Sequence, residues 1–69
     1  MTIDVHYDVD ADAAFLEIAT GISAATIIVS DRINVDLDAQ GRLLCIEVLE
    51  VSVTAPSLVA GSVQSIAAE

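Results

Sequence analysis

The stretch Ile33-Asn34-Val35-Asp36-Leu37-Asp38-Ala39-Gln40-Gly41-Arg42-Leu43-Leu44-Cys45-Ile46-Glu47-Val48-Leu49 decides the fold. Ile33, Val35 and Leu37 alternate with Asn34, Asp36 and Asp38, which is the period-two pattern of a strand with one buried face. Asp38-Ala39-Gln40-Gly41 then carries the chemistry of a type I turn closed by a G1 bulge, with an Asp to open it and a glycine able to take φ > 0. Arg42 to Val51 is expected as the return strand. The bulge pairs Asp38 with Arg42 and Leu37 with Leu43, which sets Val35 opposite Cys45; a register one residue tighter sets it opposite Leu44. In either register the return strand is apolar on both faces, with Leu43, Cys45, Leu49 and Val51 on one and Leu44, Ile46 and Val48 on the other. Both faces therefore require cover.

Upstream, Thr2 to Asp8 alternates strictly, with Ile3, Val5 and Tyr7 on one face and Thr2, Asp4, His6 and Asp8 on the other. The acidic turn Asp8-Val9-Asp10-Ala11-Asp12 leads into Ala13 to Ala19, so the first two strands read as a hairpin. Thr20-Gly21 breaks the chain, and the β-branched run within Ala25 to Ser30 suits a third strand, separated by Ser30-Asp31-Arg32 from the Ile33 strand. The chain is thus expected to be mainly β, an antiparallel meander of about five strands containing two hairpins. The tail from Ser52 to Glu69 is rich in Ser, Ala and Val. A short helix starting near Pro56, capped by Thr54 and striped by Leu58, Val59, Ser62, Val63 and Ile66, is preferred there over a sixth strand or a frayed end. Gly61 weakens that helix.

The chain has 69 residues, 55% of them hydrophobic, with 11 acids and 2 bases, which fits one domain over residues 1–69. A chain this short buries only about 60% of its surface on folding, and its gain from burial nearly cancels the cost of ordering. A lone cysteine, Cys45, forms no internal disulfide to close the gap, so self-association into a homodimer or higher oligomer is expected. A formal charge of −9 opposes nucleic acid and anionic membranes alike. Val51 to Ala68 is uncharged but contains Pro56, Gly61 and several hydroxyl residues, so it does not read as a membrane span. Met1 to Asp8 lacks the basic and apolar regions of a secretory signal, and the expected compartment is the cytoplasm.

Tyr7-Asp8, Ala11-Asp12-Ala13, Asn34-Val35-Asp36-Leu37-Asp38, Gly41-Arg42-Leu43 and Ile46-Glu47-Val48-Leu49, in that order, resemble the small bacterial family called domain of unknown function 2283. The resemblance spans about residues 5–52. It departs from the family pattern at Ala14, Phe15 and Leu16, and at Cys45, where the family often has glycine. It implies a short, cytoplasmic, β-rich protein and no established activity. Some family members lie beside genes for small toxins, which implies an antitoxin-like role against a small basic partner as a second expectation.

No catalytic, cofactor-binding or metal-binding residue is assigned from the sequence, and no cofactor is expected. Asp8, Asp10 and Asp12 have the spacing that opens an EF-hand loop, but Ala13 and Ala19 stand where that loop needs its glycine and its bidentate acid. They read as solvated turn acids, as do Asp36 and Asp38 beside Gly41; the one way either set binds a hard cation is for the two to meet in space. His6 reads as a surface histidine, with no serine elbow to serve. Cys45, mid-strand in an acidic protein, reads as a buried, inert thiol. Glu17, Glu47 and Glu50 are scattered along the chain and make no catalytic pair. The first expectation is a self-associating, non-catalytic binding or scaffold module, with a weak cation binder or small enzyme as the third.

Overall fold

A computed structural model describes residues 2–60 and 65–67, and every period-two stretch in it is a strand: β1 (Thr2–Asp8), β2 (Ala13–Glu17), β3 (Ala25–Ser30), β4 (Ile33–Leu37) and β5 (Leu43–Leu49). Two four-residue helices follow, α1 (Val51–Thr54) and α2 (Ser57–Ala60), then a short strand β6 (Ser65–Ala67). The sheet has the order β3-β4-β5-β2-β1-β6 with all neighbours antiparallel. The mainly β, antiparallel class is as the alternation indicates. The meander β3-β4-β5 joins the β1-β2 hairpin through β5, which lies against β2, so the chain leaving β2 must cross to the far edge to start β3.

The Asp38–Gly41 turn closes as its residues dictate. The Gly41 amide donates to the Asp38 carbonyl at 3.0 Å, the Asp38 amide to the Arg42 carbonyl at 2.9 Å, and Gly41 sits at φ 78. A side chain at Gly41 would meet nothing within 4 Å, so any cost of adding one is backbone strain alone. Gly41→Val is therefore expected to lower stability by about 1–2 kcal/mol, with Gln40→Val close to neutral. Equal urea midpoints for the two variants would overturn the bulge.

One residue further on, the register departs from expectation. Leu37 opposes Leu43 as expected, but Asp36 opposes Cys45, so Leu44 is an extra residue and Val35 faces Ile46 rather than Cys45 or Leu44. The cause is the hydrophobic pattern. Without this irregularity Glu47 would share a face with Ile33 and Val35; with it, Ile33 meets Val48, Val35 meets Ile46, and Glu47 pairs with Asn34 on the opposite face. The carbonyl of Leu44 accepts the Ile18 and Ala19 amides at 2.8 and 3.2 Å, and its side chain is buried.

One face of the sheet is consequently apolar across β1 to β5, in rows such as Val5-Leu16-Ile46-Val35-Ile27 and Tyr7-Ala14-Val48-Ile33. The C-terminal helices lie on it. Buried Ala14, Val48 and Val51 form the centre of the core, with Leu16, Ile46, Ala55, Leu58 and Val59 packed around them. Cover expected on both faces of β5 is thus supplied by the helices on one, while on the other the β2–β3 loop reaches only the Leu44–Cys45 end.

The tail differs from expectation in three ways. β5 ends at Leu49, because Glu50 turns the chain at φ 47 and Val51 opens α1. Val51 therefore leaves the Cys45 face and enters the core. Thr54 caps no helix; its hydroxyl donates back to the Leu49 carbonyl at 3.0 Å. Both a helix from Ser57 and a sixth strand are present, and the continuation through Gly61, Ser62 and Val63 lies outside the described residues. No helix among the described residues is long and apolar enough to cross a membrane.

Candidate functional site

The face opposite the helices carries the charge. Its rows are Asp4-Glu17-Cys45-Asp36-Thr26 and His6-Phe15-Glu47-Asn34-Ile28. The crossing from β2 to β3 adds a wall to this face. Ala19, Thr20, Gly21 and Ser23 of this crossing, with His6, Phe15, Glu17, Asp36, Leu44 and Cys45, line an open cleft of about 420 Å³. The wall packs closely: a Cβ on Gly21 would lie 3.0 Å from Leu44 Cδ2, so a larger residue there needs the Leu44 side chain to give by a few tenths of an ångström.

The cleft's chemistry follows from its neighbours. Cys45 is half-buried rather than buried. Desolvation first, and then the negative charges of Asp36, Glu17 and Glu47, push its thiol above the ordinary range. A thiol shifted in this direction is mostly protonated near neutrality. His6 is exposed, with Nε2 3.8 Å from Glu17 Oε1. The Thr26 hydroxyl donates to Asp36 at 2.6 Å and the Asn34 amide to Glu47 at 3.0 Å. Carboxylates on either side of Cys45 make the cleft receptive to a positively charged group and repellent to an anion.

The two acidic turns lie at opposite ends of the sheet, because Ala13 pairs with Leu49 while the 38–41 turn leaves from the Leu43 end of β5. They do not meet, which removes the shared-cation arrangement. Among the described residues no group of three or more His, Cys, Asp or Glu side chains is placed to hold a metal ion. Asp8 accepts the amides of Asp10 and Ala11, an Asx turn. Asp38 accepts the amides of Gln40 and Arg42 and the Arg42 guanidinium, and these bonds, led by the Arg42 amide, hold its carboxyl below the usual range. Arg32 pairs with Glu50 at 2.9 Å. Both arginines are thus engaged by nearby acids, and the field of the remaining surface is negative.

Asp12 does what the sequence does not disclose. Held at φ 50, it accepts the Ser52 amide at 3.2 Å, the Ser52 hydroxyl and the Tyr7 hydroxyl with its carboxylate, and the Val51 amide with its carbonyl at 2.9 Å. These are the first free N–H groups of α1, whose own cap position Glu50 supplies no side-chain bond. Asp12 is a capping residue supplied from 40 positions away. The Ser52 hydroxyl above all lowers its pKa, against an opposing desolvation contribution. A carboxyl depressed in the folded state adds stability that is complete above the unfolded value near 4 and is lost as pH falls through the folded value. Asp12→Ala is expected to lower the melting temperature by about 4–8 °C at neutral pH and to flatten the fall between about pH 5 and pH 3. An unchanged pH profile by circular dichroism would contradict this role.

β3 forms the outer edge of the sheet, and all six of its residues are exposed. Ile27, Ile28 and Val29 are 46%, 75% and 60% exposed. From Ile18 to Ser30 the sequence has no charge, so the edge has no lysine, acid or proline to block pairing, and one register irregularity after Ile28 is its only interruption.

These features define a small antiparallel sheet domain with a helical cover on one face and an acidic cleft on the other. Residues 4–52 match the family model described as protein of unknown function (DUF2283), and the chain belongs to that family. The match runs from β1 to Ser52, the residue docked on Asp12. Neither curated proteins nor solved structures provide a match.

Proposed function

We propose that this protein is a self-associating, non-catalytic β-sheet module that acts by binding. The observation that carries the reading is β3, a wholly exposed, uncharged edge strand with Ile27, Ile28 and Val29 in succession, on a chain of net charge −9. Single exposed apolar residues are ordinary, but three in succession on an unpaired edge form a surface that favours association. The half-buried Ile33, Val35 and Leu37 beside it extend the apolar surface onto the sheet face. The protonated Cys45 thiol supports a binding role over nucleophilic chemistry. Sedimentation equilibrium at micromolar concentration is expected to show a homodimer or higher oligomer, and a monomer throughout would overturn the proposal.

A second reading is supported by the row Asp4-Glu17-Cys45-Asp36. Asp4 stands directly opposite Glu17, a like-charge pairing that costs stability, with Asp36 across Cys45 from them, and a basic partner would relieve the repulsion. Under that reading Asp4→Asn, Glu17→Gln and Asp36→Asn together weaken capture of the partner and leave the oligomer intact.

A further inference from the structure

We infer that two copies of the chain join edge to edge, β3 against β3, as an antiparallel pair in which Ile27 faces Ile27 of the partner subunit. This rests on the self-association proposed above and specifies its interface.

The occupant of the edge follows from charge. A basic partner gains nothing from an edge without a carboxylate, whereas two copies of a chain carrying −9 repel everywhere except through surface that carries no charge. β3, with the loop before it, is such a surface. Its outward backbone groups face solvent, and a second β3 satisfies them with the same main-chain ladder that β4 supplies on the inner side. The result is a closed, isologous two-fold contact rather than an open chain.

The register follows from symmetry. An antiparallel two-fold pair has its axis normal to the sheet, so both acidic faces stay on one side and both helical covers on the other. Residues opposite each other then share a face, and a residue must oppose itself or one an even number of positions away. Centring on Ile27 places Ala25 opposite Val29 of the partner subunit and Thr26 opposite Ile28 of the partner subunit. It also extends the row Val5-Leu16-Ile46-Val35-Ile27 directly into the same row of the second copy. Within one chain, exposure along that row rises from 2% at Val5 to 46% at Ile27. The self-facing isoleucines bury the exposed end, and the two six-stranded sheets become one.

The test uses the full chain with Cys45→Ala as background, so that the introduced thiol is the only one. Cross-strand Cα atoms lie within the span that a disulfide bridges, so Ile27→Cys should oxidise to a covalent dimer at least about tenfold faster than Val53→Cys, an exposed site on the helical side. Ile27→Lys should place two ammonium groups against each other and weaken dimerisation at least about a hundredfold, with the circular dichroism of the sheet retained. A dimer by sedimentation in which Ile27→Cys cross-links no faster than Val53→Cys, or which Ile27→Lys leaves intact, overturns the β3 interface while sparing self-association. A monomeric wild-type chain overturns both.

Discussion

Val51→Asp is expected to abolish the folded sheet, while Val53→Asp, two residues along the same helix, leaves it unchanged. Val51 is fully buried against Ala14 and Val48, whereas Val53 is 67% exposed. The two substitutions introduce the same carboxyl into the same turn and differ only in what surrounds it. At Val51 no cation is at hand among the described residues: Arg32 is bound to Glu50 and Arg42 to Asp38. An unpaired buried charge costs about 3–5 kcal/mol, comparable to the whole stability that a single core of this size supplies. At Val53 the change should stay within about 0.5 kcal/mol. Thermal unfolding followed by far-ultraviolet circular dichroism separates the outcomes. A cooperative transition for Val51→Asp within a few degrees of the wild type would show that α1 is not part of the core.

Removal of residues 55–69 should be nearly as damaging. The family match ends at Ser52, and a chain of residues 1–54 keeps all of it together with α1. It loses Ala55, Leu58 and Val59, which pack against the Ala14-Val48-Val51 core, and it loses β6, the outer partner of β1. Re-exposing two half-buried aliphatic side chains and the surface beneath them costs about 3 kcal/mol, and the unpaired β1 edge adds to that. The shortened chain is expected to show no cooperative melt and to bind a hydrophobic dye such as ANS. Native-like dichroism with a sharp transition would show that the family region folds by itself and that the tail is an accessory.

The five principal strands and the Asp38–Gly41 turn were legible because each depends on residues within a few positions of one another. Alternation marks the strands, and one Asp and one Gly mark the turn. The second register shift in β5 was also written in the sequence: only an extra residue at Leu44 keeps Glu47 off the face of Ile33 and Val35. Reading the turn alone missed it, since turn chemistry sets the first pairs of a hairpin and side-chain burial sets the rest. At the cleft, the surface placement of His6 was legible, whereas Cys45, expected to be buried, is half-buried. The wall that encloses them was not legible, because it depends on where the β2–β3 loop crosses the sheet.

Composition and local pattern thus determined the class of fold, the acidic surface and the uncharged third strand. The tertiary structure alone decided that β5 lies beside β2, that β3 is left at the outer edge, and that Asp12 caps the helix begun by Val51. Each of these joins segments far apart in the chain. Such a pairing is chosen by the total burial of the assembled sheet, which assigns partners among all strands at once and leaves no signature in any short stretch of sequence.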